Sequence, residues 1–545
     1  MSRSTQREGK DVSPADVHVI GGAAAGDVPP AAAIGGKAFH LAGMAALGLA
    51  VPPAFVLGTR HCAAVPATGL AADVRAALPE ALAHVEAATG RRLGDARRPL
   101  LVSVRSGAPV SMPGMMQTLL NVGLSDRTLP GVLRLSGNPR LAWDAYRRLI
   151  AQFGEVVAGV PAETFAGVDR GASARAPDFA ELRALAQRHL DAYREATGHA
   201  FPQDPREQLE RAIAAVFASW HAPHARRYRT SHAIPDVPGT AVIVQAMVFG
   251  NAGGRSGAGV GFTRDPTTGA PGLWVDYLSD AQGEDVVSGR RVAHGAGALV
   301  ATLPDAWAEL VGAADRLERT FGDMQDFEFT VEDGRLYLLQ TRPGKRSPLA
   351  ALRILLDLAD EGIIDAHEAL VRADALDPAR LAITRVVADG GAASVPAAHA
   401  ASANAGVAVG EIALDEARAA ARTAAGAAVV LVRRDAETSD LAALDLACGL
   451  LTQHGARTSH AAVVARQLGK VCLVGCVGLD IDLAARRIRV GDAVLAEGDV
   501  ITLDGNAGCV YVGAARTVVE RPAPLLARLD ALRGAVPASA AAAAR

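Results

Sequence analysis

The chain has 545 residues, a formal net charge of -3 and a pI near 6.5. At ~150 residues per domain this length predicts roughly three or four domains, and a composition that is 50% apolar and 21% charged is ordinary for globular proteins, with Ala and Gly in excess. Near-neutral charge excludes the strongly basic surface on which non-specific nucleic-acid binding depends. The opening MSRSTQREGKDV has no secretory h-region, and no apolar run reaches the ~20 residues of a membrane span. The expectation is a soluble cytoplasmic protein with neither a nucleic-acid nor a membrane partner. Cys62, Cys448, Cys472, Cys476 and Cys509 are too few and odd in number for a disulfide framework. Cys472 and Cys476, in the run VCLVGC, read as buried small hydrophobes. The cations are almost all arginine, with lysine only at Lys10, Lys37, Lys345 and Lys470.

In chain order, residues 1–33 read as a loose lead-in. A Gly-Gly turn at Gly35-Gly36 opens the helix KAFHLAGMAALG, and Val-Pro-Pro then leads into the short apolar strand AFVL. LLVSV at 100–104 is a continuous apolar strand, followed by the loop RSGAPVSMPGMM. A helical block at about 139–235 shows apolar residues at helical spacing, as in LERAIAAVFASW. From Thr240 to Arg342 the period shortens to two and glycine becomes frequent, which predicts sheet with loops. A helical connector at 347–400 precedes a second alternation of short strands and helices at 401–515, and 516–545 reads as a low-complexity tail. The architecture predicted is two α/β units separated by a helical connector.

Two segments between Gly250 and Arg342 suit phosphate chemistry. GNAGGRSGAGVG holds six glycines, with Gly253 and Gly257 as candidate phosphate contacts, because glycine lets backbone N–H groups approach an oxyanion closely. It lacks the Gly-Lys-Ser/Thr of a P-loop, and Gly-rich hairpin tips are commonly structural. DFEFTV and LYLLQTR form a hairpin around Asp333-Gly334. A two-residue turn would put Asp326 and Glu328 on the face opposite Gln340 and Arg342. A three-residue loop (Asp333, Gly334, Arg335) pairs Glu328 with Gln340 and Asp326 with Arg342, leaving Phe327 and Phe329 for the core. Two carboxylates beside an arginine suit Mg²⁺ and phosphate oxygens; they also suit a salt-bridged solvated strand face. Lys37 after its glycine pair and Arg105 directly after LLVSV are cations placed to meet a phosphate.

The segment LLTQHGARTSHAAVVARQLGK carries a mechanism. Ser459 reads as an N-cap and His460 as the first residue of an Ala-rich helix ended by Gly469. There the helix dipole disfavours imidazolium, keeping a ring nitrogen nucleophilic, and favours the anion formed on phosphorylation. His454, in the same loop, is the competing candidate without a helix N-terminus.

The strings LVSVRSGAPVSMPGMMQTLLNVGL, GTAVIVQAMVFGN, GFTRDPTTGAPG, DAQGEDVVSG, MQDFEFTVEDGRLYLLQTRPGKR and TSHAAVVAR resemble the pyruvate, phosphate dikinase family from Ile34 to about Gly513. The resemblance implies an α/β protein, α+β in parts: an ATP-grasp nucleotide-binding domain at 34–346 and a swivelling β/β/α phosphohistidine domain at 401–515. It implies that Lys37, Arg105, Asp326, Glu328, Gln340 and Arg342 bind nucleotide and phosphate, with Mg²⁺ on Asp326 and Glu328. It makes His460 the phosphorylated histidine and Thr458 a site of regulatory phosphorylation in some members. ATP and inorganic phosphate are the implied substrates, AMP and pyrophosphate the products.

The departures are specific. Only 32 residues follow Gly513, where a (βα)₈ barrel takes typically ~250, so the pyruvate/phosphoenolpyruvate-binding barrel is expected on a separate protein, with the Leu525–Leu532 stretch as one possible dock. Ala456-Arg457 stand where the family has Gly-Met, Asp276 where Glu is usual, and Gly254-Arg255 break the glycine loop. An arginine three residues before the histidine either tightens phosphate binding or alters docking. Three functions fit: the ATP half-reaction of such a dikinase, a dikinase for another acceptor, or an ATP-sensing module without turnover.

Overall fold

The computed structural model describes residues 16–22, 28–63, 69–110, 112, 116–170, 178–231, 234, 239–287, 294–387, 395–435, 440–455, 457 and 460–535. Helices and strands are mixed throughout, and the chain divides into two compact units, 1–247 and 248–545. The division falls inside the segment expected to form one ATP-grasp domain.

The first unit holds an antiparallel sheet of β1 (Val17–Ile20), β2 (Ala54–Leu57), β3 (Val102–Gly107), β4 (Thr118–Val122) and β5 (Ala241–Ala246), in the order β1-β2-β5-β3-β4. Strand β1 lies within the expected lead-in, but all four of its residues pair with β2. Strand β3 runs two residues beyond Arg105, because β5 pairs with it from Val102 to Gly107; Arg105 is therefore within the strand and not after it. The helical block is as expected, and its helices start at recognisable caps. Asn138 accepts from Leu141 N, Asp204 from Arg206 N, and Asp178 with Glu181 forms a reciprocal capping box. Their inner faces meet around Phe201, with Tyr146, Phe153 and Tyr193 edge-on to it.

In the second unit β6 (Gly257–Arg264), β7 (Pro271–Ser279), β8 (His294–Gly295), β9 (Gln325–Glu332) and β10 (Arg335–Pro343) form an antiparallel sheet ordered β10-β9-β6-β7-β8. Helices Pro304–Phe321, Pro348–Asp360 and Ala366–Asp374 accompany it. β11 (Ile383–Val386) leads to a closed seven-stranded barrel of β12 (Ala398–Asn404), β13 (Val407–Ala413), β14 (Val429–Arg433), β15 (Gly449–Thr452), β16 (Val471–Val477), β20 (Val500–Asp504) and β21 (Cys509–Val512). The chain thus contains a barrel of its own. β13 to β16 run parallel, joined by crossover helices Glu416–Ala424, Leu441–Leu446 and His460–Gln467. A small sheet, β17 (Leu479–Asp482), β18 (Arg487–Val490) and β19 (Ala493–Ala496), precedes β20. Cys472 and Cys476 are buried as expected; burial pushes their thiols up to about 12 and about 11, keeping them protonated.

The expected low-complexity tail contains structure. β22 (Thr517–Glu520) pairs with β11, and the helix Ala523–Ala535 packs on the connector. Leu525, Leu526, Leu529 and Leu532 join a core with Leu352, Leu355 and Leu356. The leucines expected to dock a separate barrel protein are therefore occupied inside this chain. Among the described residues no helix is long and apolar enough to cross a membrane.

Candidate active site

In the first unit Lys37 is half-buried in the helix Ala31–Ala46, just past a kink at Gly35. Gly35 has φ 77° and ψ 156°, and a Cβ there would collide with the Gly107 carbonyl at the end of β3. Gly36 N donates to Ala108 O at 3.1 Å. The glycine pair is thus what lets the backbone before Lys37 seat on the strand that carries Arg105. The Arg105 guanidinium reaches the Gln245 amide oxygen at 3.5 Å on neighbouring β5. Gly35→Ala is expected to cost about 2–3 kcal/mol of stability in the unit's urea transition; a change within 0.5 kcal/mol would contradict the close approach.

In the second unit the hairpin has the expected pairing for a different reason. Asp333 (φ 48°) and Gly334 (φ 83°) make a two-residue turn, with Glu332 opposite Arg335. That turn alone would put the carboxylates opposite the wrong partners. The register then shifts between Leu338 and Gln340, with Leu339 as the extra residue, so that Glu328 faces Gln340 and Asp326 faces Arg342. Phe327 and Phe329 are buried, as expected.

Registers across the sheet place two rows on one face: Asp276, Val260, Glu328 and Gln340, then Trp274, Phe262, Asp326 and Arg342. Arg342 donates from Nε to Asp326 Oδ2 at 2.8 Å, and Gln340 Nε2 reaches Glu328 Oε1 at 3.4 Å. Burial pushes the Asp326 carboxyl up; the Arg342 guanidinium opposes this and Glu328 adds to it. Burial pulls Arg342 down, but the two carboxylates more than offset it and hold its pKa above the ordinary arginine value. Two carboxylates and an amide on one face are a hard-oxygen donor set, and Mg²⁺ is usually held by one or two carboxylates with phosphates and water completing its shell. Asp326 and Glu328 therefore fit that ion as a pair; among the described residues no group of three or more His, Cys, Asp or Glu could hold a metal.

The glycine loop is elsewhere. Gly257 pairs with Val331, five residues and about 17 Å along the strand from Asp326. Ser256 Oγ accepts from Asp333 N at 3.0 Å and Arg255 O from Gly334 N at 2.8 Å, tying the loop to the hairpin turn. A Cβ at Gly257, Gly259 or Gly261 would strike the Tyr277, Phe329 or Phe327 ring, so these glycines make room for aromatics on the opposite face. Gly253 (φ 129°) is in open space. The structure does not bring Gly253 and Gly257 to the carboxylates.

His460 opens an eight-residue helix ended at Gly469 (φ 68°), as expected. The His460 side chain, Ala456, Thr458 and the Ser459 cap lie outside the described residues. His454 is exposed, 3.4 Å from Asp435. Two arginines flanking His460 rest on the two-row face. Arg457 Nη2 is 2.7 Å from Asp276 Oδ1, and its guanidinium lies 3.8 Å above the Trp274 ring centroid. Arg466, 2% exposed, lies 5.4 Å from the Phe262 ring centroid and donates twice to Ala403 O, at 3.0 and 2.7 Å. Burial lowers its pKa, with Cys472 and Asp326 opposing. The segment around His460 therefore sits over the carboxylate-bearing face. The Arg466 contacts were not anticipated from the sequence.

The family described as the pyruvate phosphate dikinase AMP/ATP-binding domain matches residues 68–294 and 301–358, over half of the chain. This chain belongs to the pyruvate, phosphate dikinase family. The PEP-utilising enzyme mobile domain matches residues 426–508, which include β14 to β20 and the His460 helix. The pyruvate, phosphate dikinase of Clostridium symbiosum is 42% identical over 509 residues, covering 89% of this chain and 56% of the relative. That of Rhizobium meliloti is 42% identical over 502 residues, covering 88% and 56%. The chloroplastic enzyme of Flaveria trinervia is 40% identical over 492, covering 88% and 51%. The chain thus spans about half the length of the pyruvate, phosphate dikinases it matches.

Proposed function

We propose that this chain carries out the ATP-side half-reaction of a pyruvate, phosphate dikinase. A ring nitrogen of His460 attacks the β-phosphorus of ATP, and the bond to the α-phosphate breaks to release AMP. Inorganic phosphate then attacks the γ-phosphorus, pyrophosphate leaves, and one phosphoryl group stays on His460. The observation that carries this reading is the seating of the His460 segment, by Arg457 and Arg466, on the face that bears Asp326, Glu328, Gln340 and Arg342. Arg342 neutralises phosphate charge, the main demand of phosphoryl transfer, and the family resemblance adds Lys37 and Arg105 as nucleotide-binding cations. Asp326 and Glu328 would hold Mg²⁺, which when bound would neutralise charge on phosphate oxygens. Of the two loop glycines Gly253 is retained as the phosphate contact, since it lies in open space while Gly257 makes room for the Tyr277 ring. Thr458, two residues before the nucleophile, is the candidate for regulation.

Pyruvate is the acceptor on this reading, from the relatives' names. A separate barrel protein as carrier of that acceptor rests on no observation beyond the family expectation. The free cysteines favour a reducing compartment such as the cytoplasm. The test is incubation with β-³²P-ATP, Mg²⁺ and phosphate: acid-labile, base-stable label in the peptide containing His460 is expected. ATP binding without label or AMP/ATP exchange would replace this reading by an ATP sensor.

A further inference from the structure

We propose that Arg457 is a positioning residue: a latch that holds the His460 segment over the nucleotide-binding face by pairing with Asp276 and lying on Trp274. This deepens the phosphohistidine reading and rests on it for its kinetic consequence. Two of the residues that depart from the family pattern, Arg457 and Asp276, 181 apart in sequence, are each other's partners at 2.7 Å. Asp276 is buried at the sheet face, with its side chain 4% exposed, while Arg457 is 26% exposed. Withdrawing the segment would take Arg457 away from a buried carboxylate and uncover one face of the indole, so both contacts favour the seated arrangement. The latch also reaches the nucleophile's helix: the Arg457 carbonyl accepts from Arg466 Nη2 at 3.3 Å, and Arg466 is on the helix His460 begins. Of the two roles open to this arginine, the geometry points to docking, since its guanidinium is committed to the sheet.

The protein must still release the segment to deliver its phosphoryl group, so the latch sets how long the histidine stays where it is loaded. Arg457→Met removes the charge and the stacking while keeping bulk. Asp276→Asn removes only the carboxylate, and the pair R457D/D276R reverses the charges. Spin labels at exposed Glu309→Cys and Asp480→Cys report the separation of the sheet's helix from the barrel without involving the latch or the chemistry. One distance is expected in the otherwise unchanged chain. Arg457→Met and Asp276→Asn should add a longer one, with the seated fraction shifted about tenfold, and the charge reversal should restore the shorter. Histidine labelling should slow by about the same factor in Arg457→Met, with the Kd for ATP unchanged. Distances identical in all four proteins would overturn the latch. A distance shift without labelling even in the unchanged chain would uphold the latch and remove the phosphohistidine reading.

Discussion

His460→Asn is expected to abolish acid-labile labelling from β-³²P-ATP, with AMP/ATP exchange down by about 10⁴-fold or more, while ATP still binds. The magnitude follows from the role: without a nucleophile there is no covalent intermediate, and such removals cost as much as losing the whole catalytic set. Asparagine suits the first helical turn and keeps a polar side chain of similar reach, so the helix over the sheet face should persist. His454→Asn is the control. That residue is exposed beyond β15 and pairs with Asp435, so its loss should change the rate less than twofold. Labelling that survived His460→Asn and vanished in His454→Asn would move the nucleophile to the loop.

The second large effect is on stability. Arg264, at the end of β6 and 3% exposed, donates from Nε and Nη2 to the Glu318 carboxylate and from Nη2 to Glu361 at 2.7 Å. Glu318 otherwise accepts only from Thr263 among the hydrogen bonds seen, at 2.7 Å. Arg264→Ala leaves that carboxylate buried without a cation, beside Asp357 and Glu361. Breaking such a pair from one side costs about 3–5 kcal/mol. The expected result is a loss of that size in the transition that unfolds the second unit, followed through Trp274 and Trp307. Arg528→Ala serves as comparison: its guanidinium is 37% exposed and pairs with Asp357 and Asp360, so about 1 kcal/mol or less is expected. Equal losses would mean that burial does not govern the network.

The sequence made the helical block legible through its apolar spacing and the carboxylate-bearing face through its alternation, because both are local. Phe327 and Phe329 inward with Asp326 and Glu328 outward is a period-two pattern that any strand must obey. The extra residue at Leu339 was not legible: an apolar residue in an apolar strand looks the same whether or not it bulges. The glycines of β6 were visible, but their reason was not, since it lies in aromatic rings of β7 and β9. β1 and β22 are short, and each is made a strand by a distant partner. The pairing of Arg457 with Asp276 is a tertiary fact of the same kind; each residue could be noticed, and their connection could not.

The clasp of β11 against β22 bears on how the barrel can be handled. Ile383–Val386 lies along Thr517–Glu520, and Val387 N donates to Arg516 O at 3.0 Å. The chain therefore leaves for the barrel and returns from it at one point, like a pendant on a doubled cord. A pendant of this kind is a natural cassette: cut at 387 and 516, the barrel of one relative can be exchanged for that of another without altering the path of the chain on the side that bears Asp326 and Glu328.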